Sequence, residues 1–109
     1  MTLQIAVTTL QALNEMLERH VDNETQVKLW EALEDCALEL QKAARNYGLR
    51  YQIASAVAGG ISALHRNMTD KAVAALSSSL GALADPRCDE GDVAQCNTLW
   101  ADATIGRRP

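Results

Sequence analysis

The stretch from Val27 to Tyr47 spaces its apolar residues as an α-helix requires. Apolar residues follow one another there in unbroken steps of three or four residues, through Val27, Trp30, Leu33, Ala37, Leu40, Ala44 and Tyr47. This spacing keeps the side chains on one helical face. Asn23 is expected to cap the start, with Gln26 reaching back, and Gly48 follows where a left-handed C-terminal cap would lie. The pattern predicts a helix over about 24–47.

The helical period recurs along the rest of the chain, and neither Pro86 nor Pro109 falls inside a periodic segment. Further helices are predicted over about 2–20, 50–66, 70–84 and 92–103, with a frayed tail over 104–109. Short connections make neighbouring helices antiparallel. The sequence therefore predicts an all-α fold, an up-down antiparallel bundle of four helices plus a short C-terminal fifth helix, in one domain spanning 1–109.

Length and charge restrict the classes of partner. A chain of 109 residues is long enough to bury one core. Its formal net charge of -4 argues against nucleic acid or an anionic membrane as the main partner, because both attract a basic surface. A protein with a basic surface is compatible with this charge.

The cellular compartment is expected to be the cytoplasm. Polar residues interrupt the apolar residues of segment 1–16, and no basic residue precedes them, so neither a signal peptide nor a membrane span is predicted. Cys36, Cys88 and Cys96 are odd in number and lack the spacing of a disulfide framework, which favours a reducing compartment. A disulfide between Cys88 and Cys96 stays an open alternative.

Two adjacent glycines occur in the segment SAVAGGIS, residues 55–62. A phosphate-binding loop would need Lys and Ser or Thr after its last glycine, and a dinucleotide site would need a preceding strand. The segment offers neither. We therefore predict a close helix-helix contact at Ala56, Gly59 and Gly60, against small residues on the fourth helix, with a kink as the alternative.

The sequence contains no recognisable catalytic, metal or cofactor motif. No Glu-x-x-His or paired Cys-x-x-Cys spacing is present. The acidic residues around Cys88 lack the regular alternation of a calcium loop. His20 and His65 are each expected at the end of a helix, where positive charge suits the helix dipole. We predict no catalytic residue, no metal ligand and no cofactor.

Carboxylates follow one face of the second predicted helix. Glu31, Asp35 and Glu39 are spaced four apart, and Glu34 lies beside them. One interpretation is a solvated face balanced by Lys28 and Lys42. The other is a negative strip that binds a basic surface of another protein, where complementary charge accelerates and orients encounter.

Trp100 and the long apolar stripe suggest two further contacts. Trp100 lies in the short C-terminal helix, where it either closes the open end of the bundle or anchors a partner. The uninterrupted stripe of the second helix also allows self-association. A symmetric homodimer through the first or second helix is therefore a possible assembly.

These features favour a non-enzymatic protein that acts by binding another protein, as a regulator or inhibitor. By analogy of size and charge, phages and other mobile elements use small acidic helical proteins to cover the nucleic-acid-binding surface of a host protein. A self-assembling structural component or assembly chaperone is the second hypothesis. A small enzyme that uses some of these carboxylates is the third.

Overall fold

The all-α prediction is confirmed by the computed structural model of the protein, which describes residues 2–64 and 67–105. These residues form five helices and no strand. The helices are α1 (Leu3–Glu18), α2 (Asn23–Ala43), α3 (Leu49–Leu64), α4 (Asp70–Ala84) and α5 (Glu90–Ile105). The predicted helix over 70–84 has the observed bounds, because Thr69 caps its start and Asp85, which precedes Pro86, ends it.

The first four helices form a ring in which each packs on its neighbours along the chain and α1 also packs on α4. The fifth helix packs on both α3 and α4. One core runs through the molecule, and its largest fully buried apolar side chains are Leu10, Leu33, Leu40, Ile53, Ile61, Leu64, Leu76, Leu80 and Val57. Within the described ranges, no helix is long and apolar enough to cross a membrane.

The start of α2 differs from the prediction by one residue. Asp22, rather than Asn23, is the N-cap, and its carboxylate accepts a hydrogen bond of 2.8 Å from the backbone N–H of Thr25. Hydrogen bonding by the Thr25 side chain, together with this bond from its backbone N–H, lowers the pKa of Asp22 from its ordinary value. Asn23 is the first helical residue, and the Gln26 side chain donates to the backbone carbonyl of Val21 at 3.4 Å.

The predicted end of α2 at residue 47 is wrong. The helix ends at Ala43 and turns follow it, so Tyr47 leaves the apolar stripe and is 54% exposed. Gly48 has a φ of +57°, the left-handed conformation expected of a residue that reverses the chain after a helix. Val27 is also outside the core, at 42% exposure.

The remaining helix ends differ modestly from the predicted bounds. The first helix ends at Glu18, and His20 follows in a left-handed turn with a φ of 53° rather than at the helix end. The predicted last two residues of the third helix, 65–66, lie outside the described residues, as does tail segment 106–109. The fifth helix starts earlier than predicted because Asp89 and Asp92 each accept a hydrogen bond of 3.0 Å from the other's backbone N–H, which caps its start, and it continues to Ile105.

Candidate protein-binding surface

The four acidic residues of the predicted strip all lie on α2. Glu31, Glu34 and Asp35 are exposed, and Glu39 is half-buried. Leu33, Ala37 and Leu40 face the core from the opposite side of this helix, so the strip lies on its outer surface. The structure therefore brings the predicted carboxylates together on one face.

Two of these carboxylates already have partners within the molecule. Glu34 accepts a hydrogen bond from the indole N–H of Trp30, a core residue that is 3% exposed. Glu39 forms an ion pair of 3.6 Å with Lys42. Glu31 and Asp35 form no ion pair with any described residue. Among the described residues, an ion pair thus balances the charge of Glu39 alone, and Glu31, Glu34 and Asp35 keep their negative charge, with Glu34 held by a neutral donor.

An apolar residue that the spacing analysis missed lies beside these carboxylates. Leu38 is 55% exposed on the outer side of α2. It borders a groove of about 200 Å³ between α2 and α3, lined by Glu34, Ala37, Leu38, Ala58, Ile61 and Ser62. We call this the α2–α3 groove. The sequence did contain a signal for it: Leu38 lies outside the apolar stripe from Val27 to Tyr47 and within one helical turn of Glu34 and Asp35.

The groove exists because the side of α3 that faces it carries small side chains. Ala58 and Ser62, four residues apart, form its α3 wall beside the buried Ile61, and Ser55 lies one turn earlier on the same side. The side chain of Gln41 on α2 donates a hydrogen bond of 3.2 Å to the Ser55 hydroxyl. The segment SAVAGGIS therefore shapes a surface as well as a helix-helix contact.

The predicted small-residue contact forms with a different helix. A Cβ added at Gly60 would overlap the indole of Trp100 on α5 and lie 2.7 Å from its Cδ2 atom. The predicted partner on α4 is therefore wrong. The predicted helix contact at Gly59 is also wrong, because Gly59 is exposed and a Cβ there would meet no described heavy atom within 4 Å. Ala56 is half-buried and packs against the core.

Trp100 closes the bundle, so its interpretation as a surface anchor is wrong. Its side chain is 3% exposed, and its indole N–H donates a hydrogen bond of 2.9 Å to the buried hydroxyl of Ser79 on α4. That hydroxyl donates in turn to the carbonyl of Ala75 at 2.8 Å. The ring thus joins α3, through Gly60, to α4.

The cysteines are free thiols in the structure. Cys36 and Cys96 are buried and Cys88 is half-buried, and burial raises the pKa of each thiol from its ordinary value. A raised pKa lowers the fraction of reactive thiolate at neutral pH. Among the described residues, no three His, Cys, Asp or Glu side chains are placed to hold a metal ion.

We expect iodoacetamide to label the native protein slowly at pH 7, and Cys88 before Cys36 or Cys96, because Cys88 is the most accessible of the three thiols. Raising the pH towards 9 should accelerate labelling as thiolate forms. Peptide mass spectrometry over time measures the order, with labelling in urea as the control. Labelling of Cys36 or Cys96 at the rate of Cys88, or a mass two hydrogens lower, would contradict this expectation.

Comparison of the chain with protein-family models, curated proteins and solved structures finds no match. What indicates a function is therefore the surface itself: an exposed leucine in a groove, next to two carboxylates, Glu31 and Asp35, that form no ion pair with a described residue.

Proposed function

We propose that the protein acts without catalysis, by binding another protein through the α2–α3 groove. The observation that carries this proposal is the 55% exposure of Leu38 beside Glu31 and Asp35. An apolar residue at a groove with a charged rim matches the anatomy of protein interfaces, which have an apolar centre inside a polar rim. The groove is less suited to catalysis, because its one carboxylate, Glu34, is bonded to Trp30 and no histidine lines it.

The chemistry of the surface indicates the chemistry of the partner. An amphipathic helix can place an apolar side chain against Leu38 and Ala58, where small residues allow close approach. Lysine or arginine side chains beside that apolar residue would face Glu31 and Asp35. Complementary charge would accelerate and orient encounter, while apolar burial would supply most of the affinity. A regulator or inhibitor that covers a basic, nucleic-acid-binding surface of its target, as in phage-type proteins, fits this chemistry.

Self-association through the same surface is the second candidate. Leu38 and Val27 are both exposed on α2 and would be covered in a homodimer. Two copies that meet there would, however, bring the carboxylates of Glu31 and Asp35 together, and each copy has a formal net charge of -4. Like charges placed opposite each other oppose association. We therefore treat a homodimer as an alternative outcome of the binding experiment.

We expect Leu38→Asp to weaken binding of the partner at least 30-fold, because loss of a central binding residue costs about 2 kcal/mol or more. The double substitution Glu31→Lys with Asp35→Lys should also weaken binding of the partner. The loss should be larger at low salt than at high salt, because salt screens the interaction between charges. To measure this, wild-type and variant proteins are immobilised and incubated with extract of the native host at about 50 and about 300 mM salt. Quantitative mass spectrometry then gives the amount of partner that each protein captures.

Matched controls separate this effect from net charge and from misfolding. Glu24→Lys with Glu90→Lys changes the charge equally at exposed sites outside the groove and should leave the partner bound. Circular dichroism should show the same helix content in all variants. Retention of the same partner by Leu38→Asp and by the double variant would contradict the proposal. A concentration-dependent dimer that Leu38→Asp abolishes would favour self-association instead.

A further inference from the structure

The outer side of α1 carries an exposed stripe that contains no charge. Ile5, Thr9, Ala12 and Met16 follow one another in steps of four, three and four residues, so they share one side of the helix. All four are exposed, with Ile5 at 53% and Met16 at 41%. Among the described residues, α1 packs on α2 and α4 only, so no other helix covers this side. We call these four residues the α1 stripe.

The α1 stripe can be buried without leaving a polar group unpaired. Its one polar side chain is that of Thr9, whose hydroxyl already donates a hydrogen bond of 2.8 Å to the carbonyl of Ile5. Residues 3–14 contain no charged side chain, and the charged residues of α1, Glu15 and Glu18, lie near its end. A basic partner would therefore find nothing to pair with along most of the stripe. An uncharged surface of the same kind is a better match.

One hydrogen bond fixes the register of α1 against α2. The thiol of Cys36 donates to the carbonyl of Ala6 at 3.6 Å, so these two residues lie side by side. The short connection that joins the two helices makes them antiparallel. The middle of the α1 stripe, between positions 10 and 11, lies about 4.5 residues beyond Ala6, and therefore beside positions 31 and 32 of α2.

A two-fold axis through this point pairs the α1 stripe with itself. In such a symmetric arrangement, a contact of residue i with residue j of a second copy is matched by a contact of j with i. When α1 lies antiparallel on α1 of a second copy, Ile5 is opposite Met16 and Thr9 is opposite Ala12. The two large side chains then meet at each end, and the two small ones allow the helices to approach closely at the centre.

The same axis brings opposite charges of α2 together. Lys28 and Asp35 lie about 3.5 residues on either side of the axis, and both are exposed on the side of α2 opposite the buried Leu33. Lys28 of each copy therefore lies opposite Asp35 of the other. The ion pair of Lys28 with Glu24 is 4.0 Å long and exposed, so it holds the lysine weakly. This charge match favours a second copy independently of the uncharged stripe.

Charge also distinguishes the two directions in which the helices could pair. A parallel pairing would place Glu15 and Glu18 beside the same residues of the second copy, and like charges placed opposite each other oppose association. The antiparallel pairing places them beside the uncharged first half of α1 instead. Glu31 lies nearest the axis, but it is turned about 40° further from α1 than Asp35 is, which keeps the two copies of Glu31 at the edge of the contact.

We propose that the protein forms a symmetric homodimer in which two α1 stripes pack antiparallel and Lys28 of each copy pairs with Asp35 of the other. The dimer leaves the exposed Leu38 and the α2–α3 groove uncovered. It is therefore separate from the proposed binding of another protein, and also from self-association through that groove. Either proposal can fail without the other.

Sedimentation equilibrium of the purified protein tests the dimer. The wild type should change from monomer to dimer as its concentration rises, and Ala12→Arg should weaken dimerisation at least about tenfold, because symmetry places two arginines at the centre. Ala12 is exposed, so circular dichroism should show unchanged helix content. Leu38→Asp is the matched control and should dimerise as the wild type does. A wild type that stays monomeric at millimolar concentration, or a dimer that Leu38→Asp disrupts and Ala12→Arg does not, would overturn the proposal.

Exchange of the two charges tests the pairing of Lys28 with Asp35. Lys28→Asp and Asp35→Lys should each weaken the dimer about tenfold, because each variant places like charges opposite each other twice. The double variant Lys28→Asp with Asp35→Lys should restore most of the lost affinity. Lys71→Asp, on α4, changes the net charge as Lys28→Asp does and should have little effect. A double variant as weak as the two single variants would overturn the pairing.

Engineered cysteines test the antiparallel register. Positions 5 and 16 lie about 16 Å apart along α1, beyond the roughly 7 Å between Cα atoms that a disulfide can span. With the half-buried Cys88 replaced by serine, a mixture of Ile5→Cys and Met16→Cys proteins should form a linked heterodimer under mild oxidation by oxygen. Neither variant alone should link at a comparable rate, as mass spectrometry would show. Failure of the mixture to link, or equally fast linkage of Ile5→Cys to itself, would overturn the proposal.

Discussion

Replacement of Trp100 by alanine should lower the free energy of unfolding by about 3–5 kcal/mol. Trp100 is 3% exposed, and its ring fills the space beside Gly60 while its N–H bonds to Ser79. Alanine would leave a cavity that α3 and α4 cannot readily close, because α3 also packs on α2 and α4 also packs on α1. Domains of this size are typically stable by only 5–15 kcal/mol, so the variant should be largely unfolded at moderate urea.

Urea titration monitored by circular dichroism measures this effect, and an unchanged slope would confirm that the same surface is exposed on unfolding. Trp100→Phe is the matched control, because it keeps most of the apolar ring and loses the hydrogen bond to Ser79. We expect Trp100→Phe to lower the free energy of unfolding by the effect of its smaller ring plus about 1 kcal/mol, the typical contribution of one hydrogen bond. A loss below 1 kcal/mol for Trp100→Ala would show that α5 does not belong to the cooperative core.

The helices could be predicted because periodic spacing and local capping residues determine them together. The helix over 70–84 has a capping threonine before it and Pro86 after it, so both ends are marked in the sequence. The second helix lacks such a stop. Its apolar stripe continues to Tyr47 in the sequence, but the helix ends at Ala43, before the left-handed Gly48.

The apolar spacing of the second helix also predicted, wrongly, that Val27 is buried. Two successive steps of three separate Val27 from Leu33, and three residues advance a helix by about 300°. Val27 therefore lies about 120° away from Leu33 around the helix axis, outside the buried face. The observed 42% exposure of Val27 follows from this geometry. Steps of three and four residues therefore predict burial less well than the total rotation of each residue around the helix axis.

The candidate binding surface was only partly predictable. The sequence indicated the carboxylates of α2, because residues four apart share a face in any helix. It also placed Leu38 outside the apolar stripe, but the groove beside that leucine depends on the small side chains of Ala58 and Ser62 on α3, which spacing along α2 does not show. Nor could spacing alone identify the helix that would cover Gly60, since α4 and α5 both pack on α3.

The adjacent glycines should respond to alanine in opposite directions, although both lie in α3. Gly59→Ala should stabilise the protein by about 1 kcal/mol, because alanine favours a helix and its Cβ would meet no described atom within 4 Å. Gly60→Ala gains the same helix propensity, but its Cβ would overlap the rigid indole of Trp100. Overpacking of this kind costs about 1–3 kcal/mol, and the larger Gly60→Leu should be worse.

The two glycine substitutions also test which residue packs against Gly60, because the loss of stability caused by Gly60→Ala should depend on Trp100. In a double-mutant cycle, Gly60→Ala should be less destabilising in a Trp100→Leu background than in the wild type, since leucine is smaller and more flexible than the indole. Gly59→Ala should have the same effect in both backgrounds. Equal costs of Gly60→Ala in the two backgrounds would mean that another group, and not Trp100, limits the space at Gly60, and that the packing of α5 on α3 differs from the one described.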